Sequence, residues 1–174
     1  PRHVHEVTHE GAPDAPVTSL LMPAWSGSAY GVKIVNVAPG NAARGLPGLH
    51  SSYLLHDATT GAPRALIDGN EITNRRTVAA SALAASFVAP ADARHLLVVG
   101  AGRVAALLPP AYRAVRPIER VSVWARREAA AAALVEQWRE AGFDARVAPR
   151  LDEACAQADI VSCATLATEA VVLG

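Results

Sequence analysis

The sequence predicts an α/β protein in two parts: a mixed-sheet domain over 1–92, then a doubly wound parallel sheet over 93–174. Three observations carry this. Strand-like runs cut by turn signals fill the stretch to residue 67. From Ala93 onward strand and helix patterns alternate. The first strand-to-helix junction of that alternation is Gly100-Ala101-Gly102. Composition is compatible with this: 174 residues, 51% of them hydrophobic, can bury a core and do not suit a disordered chain. Sixteen basic and sixteen acidic residues leave no general attraction to nucleic acid or an anionic membrane. No apolar run approaches the ~18 residues of a membrane span. Pro1–His5 does not read as a signal peptide. Cys155 and Cys163 are too few for a disulfide framework, so a reducing cytoplasm is the expected location.

In chain order, Val17–Met22, Tyr30–Val37, Ser51–Asp57 and Ala62–Ile67 read as strands. Pro-Ala-Trp-Ser-Gly, Ala-Pro-Gly-Asn and Thr-Thr-Gly turn signals separate them. A helix follows from Gly69 to Val88, with Asp68 as N-cap, Glu71 at capping-box spacing and Pro90 as the stop. Ile72, Ala79, Ala80, Leu83 and Phe87 form its expected apolar stripe. The alternation then runs strand Arg94–Val99, helix Ala101–Val115, strand Glu119–Trp124, helix Arg127–Ala141, strand Ala145–Ala148, short helix Asp152–Gln157 and strand Asp159–Cys163. Pro109-Pro110 interrupts the first of these helices. An interior Pro costs on the order of 3 kcal/mol, so a kink or early break near residue 108 is expected. The alternation supplies four strands where a doubly wound dinucleotide fold usually has six, so the sequence reads as part of a longer protein.

Gly100-Ala101-Gly102-Arg103-Val104-Ala105 fits G-x-G-x-x-A between an apolar strand and a helix. The first Gly permits the tight turn, the second lets backbone approach a pyrophosphate, and the small last residue lets helix pack on strand. The alternative is a Gly-rich turn with no ligand. At the end of the next strand an NAD site usually carries an acid for the ribose. Here the strand runs into Ala125-Arg126-Arg127, whose guanidiniums suit a 2′-phosphate and point to NADP(H) over NAD(H). The alternative is two solvated residues at a helix start, where cations oppose the dipole.

Of sixteen basic residues fifteen are Arg; the single Lys is Lys33. Strand alternation puts it on a face with Val35 and Val37, where a buried ammonium needs a partner; an edge Lys reaching water is the alternative. Arg75 sits one turn after Glu71 and suits an exposed pair. Arg76 falls on the expected apolar stripe, where a guanidinium suggests a held anion. Lys33 and Arg76 together suit a small carboxylate. His3, His5 and His9 cluster without a convincing ligand set, so no metal is expected.

With these residues in view the sequence resembles the ornithine cyclodeaminase/mu-crystallin family. The likeness is carried by Leu21-Met22-Pro23, Tyr30–Asn36, Pro39-Gly40-Asn41, Gly45-Leu46-Pro47, Tyr53-Leu54-Leu55, Asp57, Arg76–Ser81, Gly100–Ala105 and Ala158–Val161. It implies a homodimer in which the first domain supplies dimer contacts and substrate residues and the second is a Rossmann domain, here present only in its first half. By motif match it implies that Arg2, Lys33 and Arg76 hold a substrate carboxylate, with Lys33 close to the reacting carbon and catalytic. Gly100, Ala101, Gly102, Arg103 and Val104 would form the pyrophosphate turn. Arg126, with Arg127 beside it, matches the Arg of an Asn-Arg-Thr signature of NADP-using members, and Thr165 would stand beside the cofactor.

Three departures bear on the reaction. Ornithine cyclodeaminases carry a Glu where this chain has Leu20, and an acid for the NAD ribose where it has Ala125. Their catalytic Asp lies beyond residue 174. The expected function is therefore an NADPH-dependent reductase of a cyclic imine such as a pyrroline carboxylate, or an amino-acid dehydrogenase. Ornithine cyclisation with recycled NAD, or non-catalytic crystallin-like binding of NADPH, are the alternatives.

Overall fold

The computed structural model describes residues 1–11, 16–165 and 167–173. They form two compact units, Pro1–Thr73 and Asn74–Gly174.

The first unit is a five-stranded sheet, antiparallel at every pairing, with its strands in chain order: β1 (His3–Val7), β2 (Val17–Ser26), β3 (Ala29–Val37), β4 (Leu49–Asp57) and β5 (Pro63–Asp68). β2 continues through Pro23 to Ser26, beyond the expected end at Met22. The reversal falls instead at Gly27, whose φ of +56° suits a residue without Cβ. β1 covers only Val17–Leu21 of β2, so Pro23 lies where β2 is an open edge and a missing N–H is tolerated. At the β4–β5 turn the Asp57 carboxylate accepts backbone N–H groups of Thr59 and Thr60, each at 2.9 Å, and pairs with Arg64. The Arg64 guanidinium first, then those N–H groups, hold its carboxyl well below the usual carboxylate range.

α1 (Gly69–Val88) follows β5 directly. Asp68 Oδ1 accepts from the N–H groups of Asn70 (2.7 Å) and Glu71 (3.3 Å), as an N-cap does. The expected apolar stripe is not the buried one. Val78, Ala82 and Ala85 are buried, whereas Ala79 and Ala80 are exposed, Leu83 is 57% exposed and Phe87 79%. Alanines at 79, 80, 82, 84 and 85 surround the helix, so its periodicity selects no single face. The sequence placed a domain boundary near residue 92. The compact units divide inside α1, because Val78 and Ala85 belong to the core of the second unit. The open carbonyls of α1's last turn are taken by Arg116, which donates to Ser86 O (2.8 Å) and Ala89 O (3.0 Å).

The second unit is a four-stranded parallel sheet in the order β8-β7-β6-β9, built from β6 (His95–Val99), β7 (Arg120–Trp124), β8 (Asp144–Val147) and β9 (Ile160–Cys163). α2 (Arg103–Arg113), α3 (Glu128–Glu140) and α4 (Leu151–Gln157) connect them. All five residues of β6 are buried, as a strand covered on both faces requires. Leu96 and Val98 join the core with Leu108, Val121, Val123, Val135 and Trp138. Leu97 and Val99 pack with Ala148 and Ala154 on the other face. His95, the polar member of β6, is satisfied at both ring nitrogens. The Gln157 carbonyl can only accept, so Nδ1 donates to it (2.9 Å), and Nε2 shares a hydrogen bond with the Ser122 hydroxyl (2.8 Å).

α2 does not break at residue 108. The helix continues through Pro109 and Pro110 to Arg113, and α3 supplies the reason. Pro110 has no N–H for the carbonyl of Ala106 four residues back, and the Trp138 indole N–H donates to that oxygen instead, at 3.0 Å. At the start of β6, Asp159 Oδ2 accepts the backbone N–H groups of Arg94 and His95, each at 2.8 Å. Those two bonds, Arg94's first, lower its carboxyl below the ordinary value.

Two outcomes follow for thermal and denaturant unfolding. Trp138→Phe orphans Ala106 O, at about 1–3 kcal/mol, and adds the cost of the void left where the pyrrole ring of a buried indole stood. Asp159 has a depressed folded pKa, so its contribution is present above the unfolded value of ~3.9 and lost as pH falls through the folded one. Asp159→Asn should therefore be less stable than the unsubstituted protein at pH 7, with the gap closing on acidification through that window.

Candidate functional site

The β6–α2 turn is set by sterics. Gly100 has a φ of +116°, and a Cβ there would run into the carbonyl oxygen of Ala164 and lie 3.3 Å from Thr165 Cγ2. Its N–H donates to Trp124 O at 2.8 Å, and Ala164 N–H donates to Val99 O at 2.8 Å. The C-terminal ends of β6, β7 and β9 are thereby tied together, and Thr165 is brought beside Gly100. The sheet order turns around at β6, and the C-terminal ends of strands at such a reversal form the ligand crevice of doubly wound folds.

α2 begins at Arg103 with Gly102 as an N-cap that offers no side-chain hydrogen bond. Nothing lies within 4 Å of where a Gly102 Cβ would stand. The first turn thus presents backbone N–H groups, uncapped by any side chain, toward open space. Ala101 and Val104 are half-buried, Arg103 is exposed, and Ala105 is fully buried where helix meets strand. The donors and the space suit the pyrophosphate of a dinucleotide. Past the end of β7, Ala125 is half-buried while Arg126 and Arg127 are exposed; among the described residues neither has a carboxylate partner.

The substrate-side candidates lie elsewhere. Lys33 is half-buried on β3, opposite Met22 of β2 and Tyr53 of β4. Opposed residues share a sheet face, so Leu20, Met22, Gly31, Val35 and Tyr53 lie on Lys33's side. The Tyr53 hydroxyl lies over Gly31, where a Cβ would collide with it. A shallow cavity of about 220 Å³ opens beside Tyr53, lined also by Ala24, Trp25, Tyr30 and Leu55. Arg2 is exposed and immediately precedes the β1 ladder, which starts at His3 opposite Leu21. Continuing that register sets Arg2 toward Met22, two strands or roughly 10 Å from Lys33 along the same row. Arg76 is exposed on α1 in the second unit.

One polar neighbour of Lys33 has no counterpart in the sequence reading. The Lys33 ammonium donates to Thr73 Oγ1, in the part of α1 that belongs to the first unit. No local signal marks Thr73 for this contact, which joins residues 40 apart in the chain.

A glycine turn at the first β-α junction of a parallel sheet, with the strand order reversing there, defines a doubly wound dinucleotide-binding fold. The chain belongs to the ornithine cyclodeaminase/mu-crystallin family, whose sequence model matches residues 14–174. It is 47% identical over 159 residues to the Delta(1)-pyrroline-2-carboxylate reductase of Paracoccus denitrificans, covering 90% of this chain and 50% of that protein. Among solved structures, the Delta(1)-pyrroline-2-carboxylate reductase of Thermococcus litoralis in complex with NADH and L-proline superposes with a TM-score of 0.82. The two are 33% identical over 98% of this chain and 54% of the other. The iminosuccinate reductase of Paracoccus denitrificans in complex with NAD+ gives 0.77 at 29% identity, over 95% and 50% of the two chains. The chain spans about half the length of the curated relatives it matches.

The turn geometry yields a direct test. Gly100→Ala forces a Cβ against Ala164 and strains the backbone by about 1–3 kcal/mol. Denaturant unfolding of the substituted protein should report that loss directly.

Proposed function

We propose that the whole protein is an NAD(P)H-dependent reductase of a cyclic imine that bears a carboxylate, of the pyrroline-2-carboxylate type. The observation that carries this reading is the 47% identity, over nine-tenths of the chain, to a reductase named for that substrate. The turn at Gly100–Val104 and the exposed cations support it. Arg2 and Arg76 present planar guanidinium forks for the carboxylate, and Lys33 a compact ammonium. A bound nicotinamide dinucleotide supplies hydride for the C=N carbon. The nitrogen gains one proton in the same reaction, and Lys33 is the residue of this chain assigned to charge stabilisation or proton transfer there. Gly100 and Ala101 shape the turn and Gly102 leaves room for the pyrophosphate, with Arg103 and Val104 opening the helix behind it and Thr165 beside the turn. Leu20 offers no carboxylate for a second amino group, which favours an imine over ornithine.

The cofactor preference is for NADP(H). Its support is the pair Arg126 and Arg127 with Ala125 in place of an acid. The same reading makes the protein a cytoplasmic homodimer. Support for the dimer is apolar surface in each unit: Leu83 and Phe87 on α1, and a sheet face carrying Leu21, Val32, Ile34, Leu54 and Leu66, the last 75% exposed.

The test is oxidation of NADPH and NADH by the whole protein with Delta(1)-pyrroline-2-carboxylate. Turnover is expected with NADPH ahead of NADH. Arg126→Ala should lower kcat/KM for NADPH by about 10–100-fold, the worth of one or two charge-assisted hydrogen bonds, and leave NADH nearly unchanged. Lys33→Ala and Arg76→Ala should each lose at least ~10-fold on the imine. Absence of turnover with either cofactor, with ammonia released from ornithine, would replace the reading by ornithine cyclisation.

A further inference from the structure

Lys33 sits on a strand whose register is fixed on both sides, but its ammonium ends a flexible four-carbon stem. Something must hold that terminus if it is to act at one atom. The start of α1 is built to do so. Gly69 lies so close to β4 that a Cβ would stand 2.6 Å from Ser51 Oγ and 2.7 Å from the backbone nitrogen of Ser52. Ser51 Oγ donates to Asn70 Oδ1 at 3.1 Å, and the Asp68 carboxylate caps the turn. The first helical turn is therefore pressed onto β4, and Thr73, one turn further on, meets the Lys33 ammonium. Thr73 also donates its hydroxyl proton to Gly69 O at 2.7 Å. With its single proton committed there, Oγ1 meets Lys33 through a lone pair and only as an acceptor.

We propose that Thr73 is a positioning residue for the reductase reaction: through the ordered chain Lys33 Nζ to Thr73 Oγ1 to Gly69 O, it fixes the Lys33 ammonium in place and in its charged form. The inference rests on the reading of Lys33 as a substrate and catalytic residue. An acceptor that cannot also donate favours an ammonium over a neutral amine. Among the described residues, the other titratable or charged groups on this sheet face are Arg2 just before β1, Glu6 on β1, Tyr53 beside Lys33 and Asp57 at the far end of β4; on α1, Glu71 lies on the same helical turn as Thr73, and Arg75 and Arg76 follow it.

Thr73→Val keeps the branched shape and removes the acceptor, and Thr73→Ser keeps the acceptor and removes a methyl. Both are made in the whole protein, and kcat/KM for Delta(1)-pyrroline-2-carboxylate is followed against pH, with NADPH affinity measured separately. The valine variant should lose about tenfold in kcat/KM, one charge-assisted hydrogen bond's worth. The alkaline limb of its profile should move to lower pH, with NADPH affinity unchanged and the serine variant within a few-fold of the unsubstituted protein. A second readout needs no turnover. Lys33 is the only lysine of these 174 residues, and its acetylation by acetic anhydride, read on its own peptide by mass spectrometry, reports the neutral amine. Thr73→Val should become reactive at lower pH than the serine variant. If the whole protein reduces no imine, the functional reading fails while the acetylation profiles still decide the role of Thr73. Valine and serine variants with equal acetylation profiles, or a serine variant as impaired as the valine one, would overturn the proposal.

Discussion

The second unit depends on one steric fact: the chain leaves β6 through a backbone conformation that only a residue without Cβ takes comfortably, hard against the carbonyl of Ala164. Parallel strands share no hairpin, so their C-terminal ends must be aligned by contacts of this kind. Because Gly100 can approach, its N–H reaches Trp124 and the Ala164 N–H reaches Val99, and three strand ends share one level. Thr165 stands beside the turn as a consequence, Arg126 follows two residues past the tied end of β7, and α2 starts with its donors uncovered. The cofactor-side candidates are thus results of a single backbone geometry.

The first unit solves a different problem. Its sheet is mostly half-buried, and the residues that matter are placed by cross-strand register. A one-residue slip of β3 would move Lys33 to the opposite face, away from Met22, Tyr53 and Thr73. Two turns guard that register. Gly27 reverses the chain between β2 and β3, and Asp57 organises the β4–β5 turn with Arg64 and two backbone N–H groups.

Much of this was legible in the residues. The Gly100–Ala105 run, the Asp68 cap and the alternation after Ala93 are local signals, and the fold follows them closely. The failures were of one physical kind, in which a distant partner decides a local question. Pro109-Pro110 reads as a kink or early break, and the break is averted because Trp138 replaces the missing donor. The buried face of α1 cannot be read from a helix ringed by alanine; it is chosen by the core that receives Val78 and Ala85. Pro23 looks like a turn until β1 is seen to end short of it. On the site side, Lys33 stood out by being the only lysine, but Thr73 is an ordinary helical threonine until folding brings it to the ammonium.

The indole bond from Trp138 to Ala106 has a consequence for the second unit as a whole. α2 starts at the glycine turn and α3 at the arginine pair, and the bond joins the first turn of α2 to a side chain from the last turn of α3. The two helix starts cannot slide along each other without breaking it, because Ala106 O has no substitute donor along its own helix. The two helix starts are therefore coupled: a shift of α3 along α2 breaks the Trp138 bond and leaves Ala106 O unpaired, at a cost of about 1–3 kcal/mol.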